Sequence, residues 1–229
     1  MALSILKSTK KNPIELIKII KDMRIDADNI MCFLRQFQNK NLIAIKDNII
    51  KTNSYNRIML AVRAIELGAD IEKVTGLLHW KEFEGIASLV LERNNFIVKK
   101  NFRFTYLKKK NEIDVIGLKK PIILCIDCKH WKKELKFSSL KKIVANQIKR
   151  TKNLIKFLPN ISTKIECTSW DYGIFIPAIL SLIPTRHKFH ESVPIIPILK
   201  FQDFLNQMLG NMEKIRLFQK SFHHLDQNF

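Results

Sequence analysis

The sequence has 229 residues, which corresponds to one or two domains of roughly 150 residues each. Lys and Arg total 40 against 21 Asp and Glu, so the net charge is +19, and 46% of the residues are hydrophobic. This hydrophobic content excludes a disordered basic tail, and the four cysteines do not suggest a disulfide framework. No signal peptide is predicted, and the longest mostly apolar run, residues 172–184, is shorter than the ~20 residues that cross a bilayer. We therefore expect a soluble, cytoplasmic protein.

The excess positive charge is concentrated in the middle of the chain. The net charge is +5 over residues 1–80, +13 over residues 81–160 and +1 over residues 161–229. A strong local positive field favours a polyanionic partner, nucleic acid first and an anionic membrane second. The alternative is a lysine-rich composition that only solvates the surface.

Residues 1–80 are predicted to form a small α+β module with a helical connector. We expect helices that begin at Pro13 and after Asp26 or Asp28, then two short strands around an Asp47-Asn48 turn. This order resembles a winged helix, and it leaves open whether the module contacts DNA or is a structural or dimerising unit. The strands are predicted at 42–46 and 49–52, and the connecting helices at 54–67 and from Asp70 to 78.

Residues 81–229 are predicted to form a second domain, in which helices alternate with strands. That order favours an α/β fold with a mixed sheet flanked by helices. Helices are predicted at 82–94, 139–157 and 202–209, and strands at 96–99, 101–107, 112–118, 121–129, 172–180 and 193–199.

Charged side chains interrupt two apolar strands of this domain. Side chains alternate faces along a strand, so Asp127 and Lys129 point the same way. Burying them unpaired would cost several kcal/mol, so they must be paired with other groups or bind an ion. Asp114 and Asp127 on neighbouring strands could hold Mg²⁺, which prefers oxygen ligands, while Lys129 could orient a water and offset charge on a phosphoryl group. This pattern predicts phosphodiester hydrolysis, and the alternative is a purely structural salt bridge.

These residues resemble the PD-(D/E)XK, or restriction-endonuclease-like, nuclease superfamily, including its Mrr-type and archaeal Holliday-junction-resolvase branches. The resemblance covers about residues 82–200. Ile113 stands where the family motif has proline, a position that carries no chemistry. The matching residues are Phe83-Glu84 at the start of a helix, Glu112-Ile113-Asp114, Asp127-Cys128-Lys129, and Gln147 in the long helix.

The resemblance implies a role for each of these residues. Asp114, Asp127, Glu84 and the backbone carbonyl of Cys128 would hold Mg²⁺, for which Mn²⁺ would substitute, and Lys129 would be catalytic. Gln147 faces the apolar side of its helix by periodicity. It would help to hold the lysine or a phosphate, or it would be a core amide satisfied by the backbone. Glu84 could instead be a plain surface residue.

Glu112 is either an acid that supports the metal ligands or a solvent-facing strand residue. Two lysine clusters flank the expected metal site, and they are the natural contacts for DNA phosphates. They consist of Lys108, Lys109 and Lys110, in a predicted turn, and Lys132, Lys133 and Lys136.

The favoured function is a metal-dependent DNA endonuclease that acts on structured or damaged duplexes in repair, recombination or restriction. Binding is expected to depend on backbone charge, and cutting both strands would favour a homodimer. The alternatives are a nuclease-derived protein that binds DNA or a repair partner without cutting, and an RNA-processing nuclease.

Overall fold

The structure is a computed structural model that describes residues 1–10, 13–23, 25–131, 136–158, 165–182 and 184–222, except for the side chains of Ile71 and Glu72. The chain divides into two compact units, Met1–Ile86 and Ala87–Phe229. The predicted fold class is confirmed, because a small α+β unit precedes an α/β unit built on a large mixed sheet. Within the described ranges, no helix is both long and apolar enough to cross a membrane.

The first unit packs its helices around a three-stranded antiparallel sheet of order β1-β3-β2. Its core is mostly aliphatic and includes the fully buried Ile5, Leu6, Leu34 and Ile50. The elements are α1 (Ala2–Ser8), β1 (Ile14–Glu15), α2 (Leu16–Asp22), α3 (Ala27–Asn39), β2 (Ala44–Lys46), β3 (Ile49–Lys51), α4 (Ser54–Glu66) and α5 (Ile71–Gly76). Helix α6 (Trp80–Arg93) crosses the division between the units.

The start of the first unit differs from the prediction. The helix expected from Pro13 begins only at Leu16, because Ile14 pairs with Ile50 and adds a third strand to the hairpin. Helix α1 was not predicted. The hairpin turn is as expected, since Asp47 and Asn48 both have positive φ, which suits a two-residue hairpin turn.

Local capping explains where the helices of this unit begin. The Asp26 carboxylate accepts hydrogen bonds from the backbone N–H groups of Asp28 and Asn29, and Asp70 accepts one from Lys73. These bonds satisfy helix N-terminal donors that have no partner within the helix.

The second unit contains a seven-stranded sheet of order β4-β5-β6-β7-β9-β8, with β10 paired to β7. The β4-β5 and β5-β6 pairs are antiparallel, whereas β6-β7 and β7-β9 are parallel. The strands are β4 (Ile97–Tyr106), β5 (Lys109–Lys119), β6 (Ile122–Lys129), β7 (Tyr172–Ser181), β8 (Phe189–His190), β9 (Val193–Pro197) and β10 (Phe218–Ser221). The further elements are helices α7 (Phe137–Phe157) and α8 (Phe201–Met208) and short 3-10 helices at Glu166–Ser169, Ile198–Lys200 and Leu209–Lys214.

Strand β4 is one continuous strand where two were predicted. Pairing with β5 keeps one register on both sides of Asn101, although φ of Asn101 is +50°. The β4-β5 turn is also tighter than expected. Leu107 and Lys108 both have positive φ, so Tyr106 pairs directly with Lys109, and Lys109 and Lys110 belong to β5.

Helix α7 lies across the sheet of the second unit. Near its start, Leu140 and Val144 pack in one apolar cluster with Ile179 and Val193 of β7 and β9. Near its end, Phe157 stacks on Phe104 of β4 with ring centroids 5.3 Å apart. The middle of the helix therefore passes over β6, which carries Asp127 and Lys129.

Candidate active site

The two predicted metal-binding carboxylates lie on adjacent strands. Val115 of β5 pairs with Ile126 of β6, so the antiparallel register sets Asp114 beside Asp127. Lys129 follows two residues later on the same face of β6. The three residues that the sequence singled out are thus brought together.

Asp127 is the centre of an ion-pair cluster. It is only 1% exposed. Lys129 Nζ lies 2.9 Å from Asp127 Oδ1 and 2.8 Å from Oδ2, and Arg150 Nη1 lies 2.8 Å from Oδ1. Two cations thus compensate the one buried carboxylate, as burial of an ionised group requires.

Asp114 has a different environment. Its Oδ2 accepts a hydrogen bond of 2.7 Å from the backbone N–H of Cys128. Burial raises the pKa of the Asp114 carboxyl, and the negative charge of Asp127 raises that pKa further. The Cys128 N–H, Lys129 and Arg150 act in the opposite direction on the same pKa. The site therefore holds two negative groups that repel each other in partly desolvated surroundings.

The chemistry of these donors suits a hard divalent cation. Carboxylate oxygens are ligands that Mg²⁺ accepts, and a cation between the two acids would relieve their repulsion. Among the residues that the structure describes, no group of three or more His, Cys, Asp or Glu side chains is arranged to hold a metal. A cation here would therefore need other oxygens, such as the carbonyl of the half-buried Cys128 and water.

Gln147 is fully buried beneath the site. Its Nε2 donates a hydrogen bond of 2.7 Å to the carbonyl of Cys125 in β6. Its Oε1 is also buried and has no hydrogen-bond partner among the described residues. The Nε2 group is thus satisfied by the backbone, as expected for a core amide. A contact of Gln147 with Lys129 or with a phosphate stays a prediction.

The other two acids that the sequence singled out are Glu84 and Glu112. Glu84 is buried in α6 but belongs to the first unit, so its place among the metal ligands stays a prediction. Glu112 pairs with Arg103, whose Nε and Nη2 lie 3.0 Å and 3.3 Å from its two carboxylate oxygens. This pairing on the neighbouring strand was not predicted.

The predicted DNA-binding lysines are only partly covered by the structure. Lys108 occupies the exposed turn between β4 and β5, and Lys136 is exposed just before α7. Lys132 and Lys133 lie outside the described residues. Contact with DNA stays a prediction for the whole set.

Arg150 is the site residue that the sequence reasoning missed. It lies three residues after Gln147, so the two side chains share a face of α7. That spacing is the signal that could have identified it. Its side chain is 34% exposed and therefore reaches both Asp127 and solvent.

Residues 79–175 match the family described as the nuclease-related domain, NERD. Over this segment, which includes Asp114, Asp127, Lys129 and Arg150, the chain is similar to nuclease-related domains. This is consistent with the PD-(D/E)XK superfamily, and it does not distinguish the Mrr-type or resolvase branches.

One relative and two solved structures are also similar to this chain. An uncharacterized protein of Archaeoglobus fulgidus is 28% identical over 132 residues, which cover 57% of this chain and 92% of that protein. The crystal structure of AF1548, a protein of unknown function, matches with 18% identity and a TM-score of 0.29 over 53% of this chain and 52% of that one. Protein VC1899 from Vibrio cholerae matches with 14% identity and a TM-score of 0.40 over 93% of this chain and 51% of that one. The matched region spans about half the length of each solved chain.

Proposed function

We propose that the protein is a divalent-metal-dependent DNA endonuclease. Its active site, formed by Asp114, Asp127 and Lys129, would hydrolyse phosphodiester bonds. The observation that carries this proposal is the Asp127–Lys129 ion pair beside the partly desolvated Asp114, within the segment that matches the nuclease-related domain. Asp114, Asp127, the Cys128 carbonyl and water would hold Mg²⁺ or Mn²⁺. Bound there, the metal would supply Lewis-acid activation of a phosphoryl oxygen and would lower the pKa of a water.

The side chains of the protein would position the reacting groups. Asp127 fixes the Lys129 ammonium through both carboxylate oxygens, while 28% of the lysine side chain stays exposed. The ammonium can therefore meet a phosphate that arrives from solvent. There it would orient the attacking water or stabilise negative charge that develops on the phosphoryl oxygens.

The test is a cleavage assay on branched DNA, linear DNA and RNA in Mg²⁺, Mn²⁺ or EDTA. We expect the wild type to cut DNA only with metal, and Lys129→Ala to lower the cleavage rate by at least about 100-fold, the size typical of lost electrostatic stabilisation. Asp127→Ala and Asp127→Asn should do the same, and the Asn variant keeps the shape of the buried side chain. DNA binding in EDTA should change little.

Matched controls come from an exposed ion pair that lies just before the first residues of β6 and β7, whereas Lys129 is the last residue of β6. Lys120 Nζ lies 3.2 Å from Asp171 Oδ2, and both side chains are mostly exposed. Lys120→Ala and Asp171→Ala should leave cleavage unchanged. Wild-type protein that cuts neither DNA nor RNA with any metal would overturn the hydrolytic function, and preference for RNA would redirect it to RNA processing.

A second candidate is a nuclease-derived protein that binds DNA without cutting it. The specific observation in its favour is that Lys129 and Arg150 already neutralise Asp127. Tight DNA binding by the wild type, unaffected by metal and without cleavage, would support this candidate.

A further inference from the structure

A cavity of about 600 Å³ lies beside the candidate active site in the second unit. Its walls come from β4, β5 and α7. The lining residues are Arg103, Phe104, Thr105, Lys110, Asn111, Glu112 and Arg150. Arg150 joins this cavity to the active site, because its guanidinium also binds Asp127. A ligand in the cavity would therefore lie next to any group held at Asp114 and Asp127.

The lining is positively charged. It contains three cations and one acid, and that acid, Glu112, is occupied by the two-point contact with Arg103. Lys110 is exposed and forms no ion pair with any residue that the structure describes. Arg150 shares Asp127 with Lys129, which leaves part of its guanidinium to face solvent. An anion fits the uncompensated charge.

The walls of the cavity are fixed by contacts that do not involve these cations. Asn153 of α7 donates a hydrogen bond of 3.0 Å to Asn111 of β5. Phe104 is buried against Phe157 of the same helix. A preformed concave site of several hundred cubic ångströms has the size that accommodates a nucleotide unit.

We propose that this cavity is a phosphate subsite, which holds a nucleic-acid backbone phosphate next to the phosphodiester bond to be cut. The inference rests on the proposed function of the neighbouring site. Lys110 would contact the phosphate as a point charge, and Arg150 would use guanidinium N–H groups that face away from Asp127. The strand would then run from the active site along the β4-β5 hairpin.

The experiment measures binding of a short fluorescein-labelled DNA duplex by fluorescence anisotropy, in Ca²⁺ and in EDTA, at several KCl concentrations. Lys110→Gln should weaken binding several-fold and reduce the slope of log K against log salt by about 0.9, the value for one lost phosphate contact on duplex DNA. Arg150→Lys, which keeps the charge, should retain the slope better than Arg150→Gln.

Lys119→Gln is the matched control. Lys119 is exposed at the opposite end of the same strand, nine residues from Lys110, or about 30 Å along a strand. The Lys119→Gln variant should leave both the affinity for DNA and the slope of log K against log salt unchanged. Equal effects of Lys110→Gln and Lys119→Gln would overturn the subsite, and so would a wild type that binds no DNA.

The same measurements separate the subsite from the proposed function. If the wild type cuts DNA in Mg²⁺ but Lys110→Gln behaves like Lys119→Gln, the subsite is wrong and the nuclease function stands. If Lys110→Gln lowers the slope while no cleavage occurs under any condition, the subsite stands and the hydrolytic function is wrong.

Discussion

Each of the two acidic residues at the candidate site is tuned by its own neighbours. Asp127 lies against two cations, whereas Asp114 receives one backbone hydrogen bond and faces the charge of Asp127. The surroundings of Asp114 therefore stabilise a negative charge less than those of Asp127 do. The consequence is a dependence of stability on pH that has an unusual sign for a carboxyl group.

Replacing Asp114 by asparagine should stabilise the protein in metal-free buffer. The pKa of Asp114 is raised in the folded state, so the folded protein holds this proton more tightly than the unfolded chain. Stability is consequently lost as pH rises through the folded pKa, and the loss persists at neutral pH. Asp114→Asn should raise Tm at pH 7, and the gain should disappear as pH falls below the ordinary Asp range.

The measurement is thermal unfolding in EDTA across a pH series, with Asp203→Asn as the control. Asp203 is an exposed carboxylate in an i,i+3 ion pair with Lys200, so its replacement should not increase Tm. An Asp114→Asn protein less stable than wild type at pH 7 would contradict the assignment.

Sequence reasoning predicted the central residues because strand alternation is regular. Asp114, Asp127 and Lys129 needed only the period of two and the order of neighbouring strands to be placed together. Arg150 was missed because an exposed cation on a helix usually meets solvent, and periodicity does not show where a long side chain ends. The partner of Glu112 was missed because the register of β4 against β5 depends on the turn.

At the level of elements, a buried arginine connects several helices of the first unit. Arg57 of α4 donates to the Leu6 carbonyl and the Thr9 hydroxyl, to the Leu77 carbonyl, and at 2.7 Å to Glu82 at the start of α6. Glu82 also accepts a hydrogen bond from the backbone N–H of His79. Both side chains are almost fully buried, so each depends on the other.

Arg57→Met should destabilise the first unit by about 3–5 kcal/mol, because Glu82 would keep a buried charge without its partner. The double variant Arg57→Met, Glu82→Gln should be less destabilised than the single variant. Chemical denaturation of the full chain measures both, with Arg63→Met, whose side chain is 41% exposed, as control for the loss of an arginine on the same helix. The single variant Glu82→Gln completes the comparison. If the double variant loses as much unfolding free energy as Arg57→Met and Glu82→Gln lose together, the pair is not coupled.

The long helices and buried strands were predictable because their apolar periodicity or length is strong. The short elements were not. Strand β1 has two residues and exists because β3 offers an edge, and β10 pairs with a strand more than forty residues earlier in the chain. Such pairing depends on tertiary contacts, which a local pattern does not contain.

For the whole molecule, charge is distributed unevenly along the chain. Helix α7 has six lysine or arginine residues and no acidic residue in its 21 positions, and it lies in the segment that carries most of the positive charge. The first unit is less basic, and its predicted contact with DNA as a winged helix stays a prediction. Removing the same number of lysines from helix α7 and from the first unit would compare their contributions to DNA binding.

Replacing Lys142, Lys149 and Lys156 of α7 by glutamine should weaken DNA binding more than replacing Lys18, Lys21 and Lys46 of the first unit. All six lysines are exposed, and each set lowers the net charge by the same amount. If α7 follows the DNA backbone, its set should reduce the salt slope by about 2–3, since each phosphate contact contributes about 0.9. Equal effects of both sets would indicate attraction by net charge alone, and a larger effect of the first-unit set would favour the winged-helix module.

The ion pairs of Lys129 and Arg150 with Asp127 have a practical consequence. The protein carries its own counter-ions at the acidic centre, so this part of the fold does not need a metal to compensate Asp127. Domains that rely on a structural metal lose their fold in chelators, but this one should stay folded in them. A single preparation, stripped by a chelator and then reloaded, can therefore serve as its own reference for any effect of divalent ions.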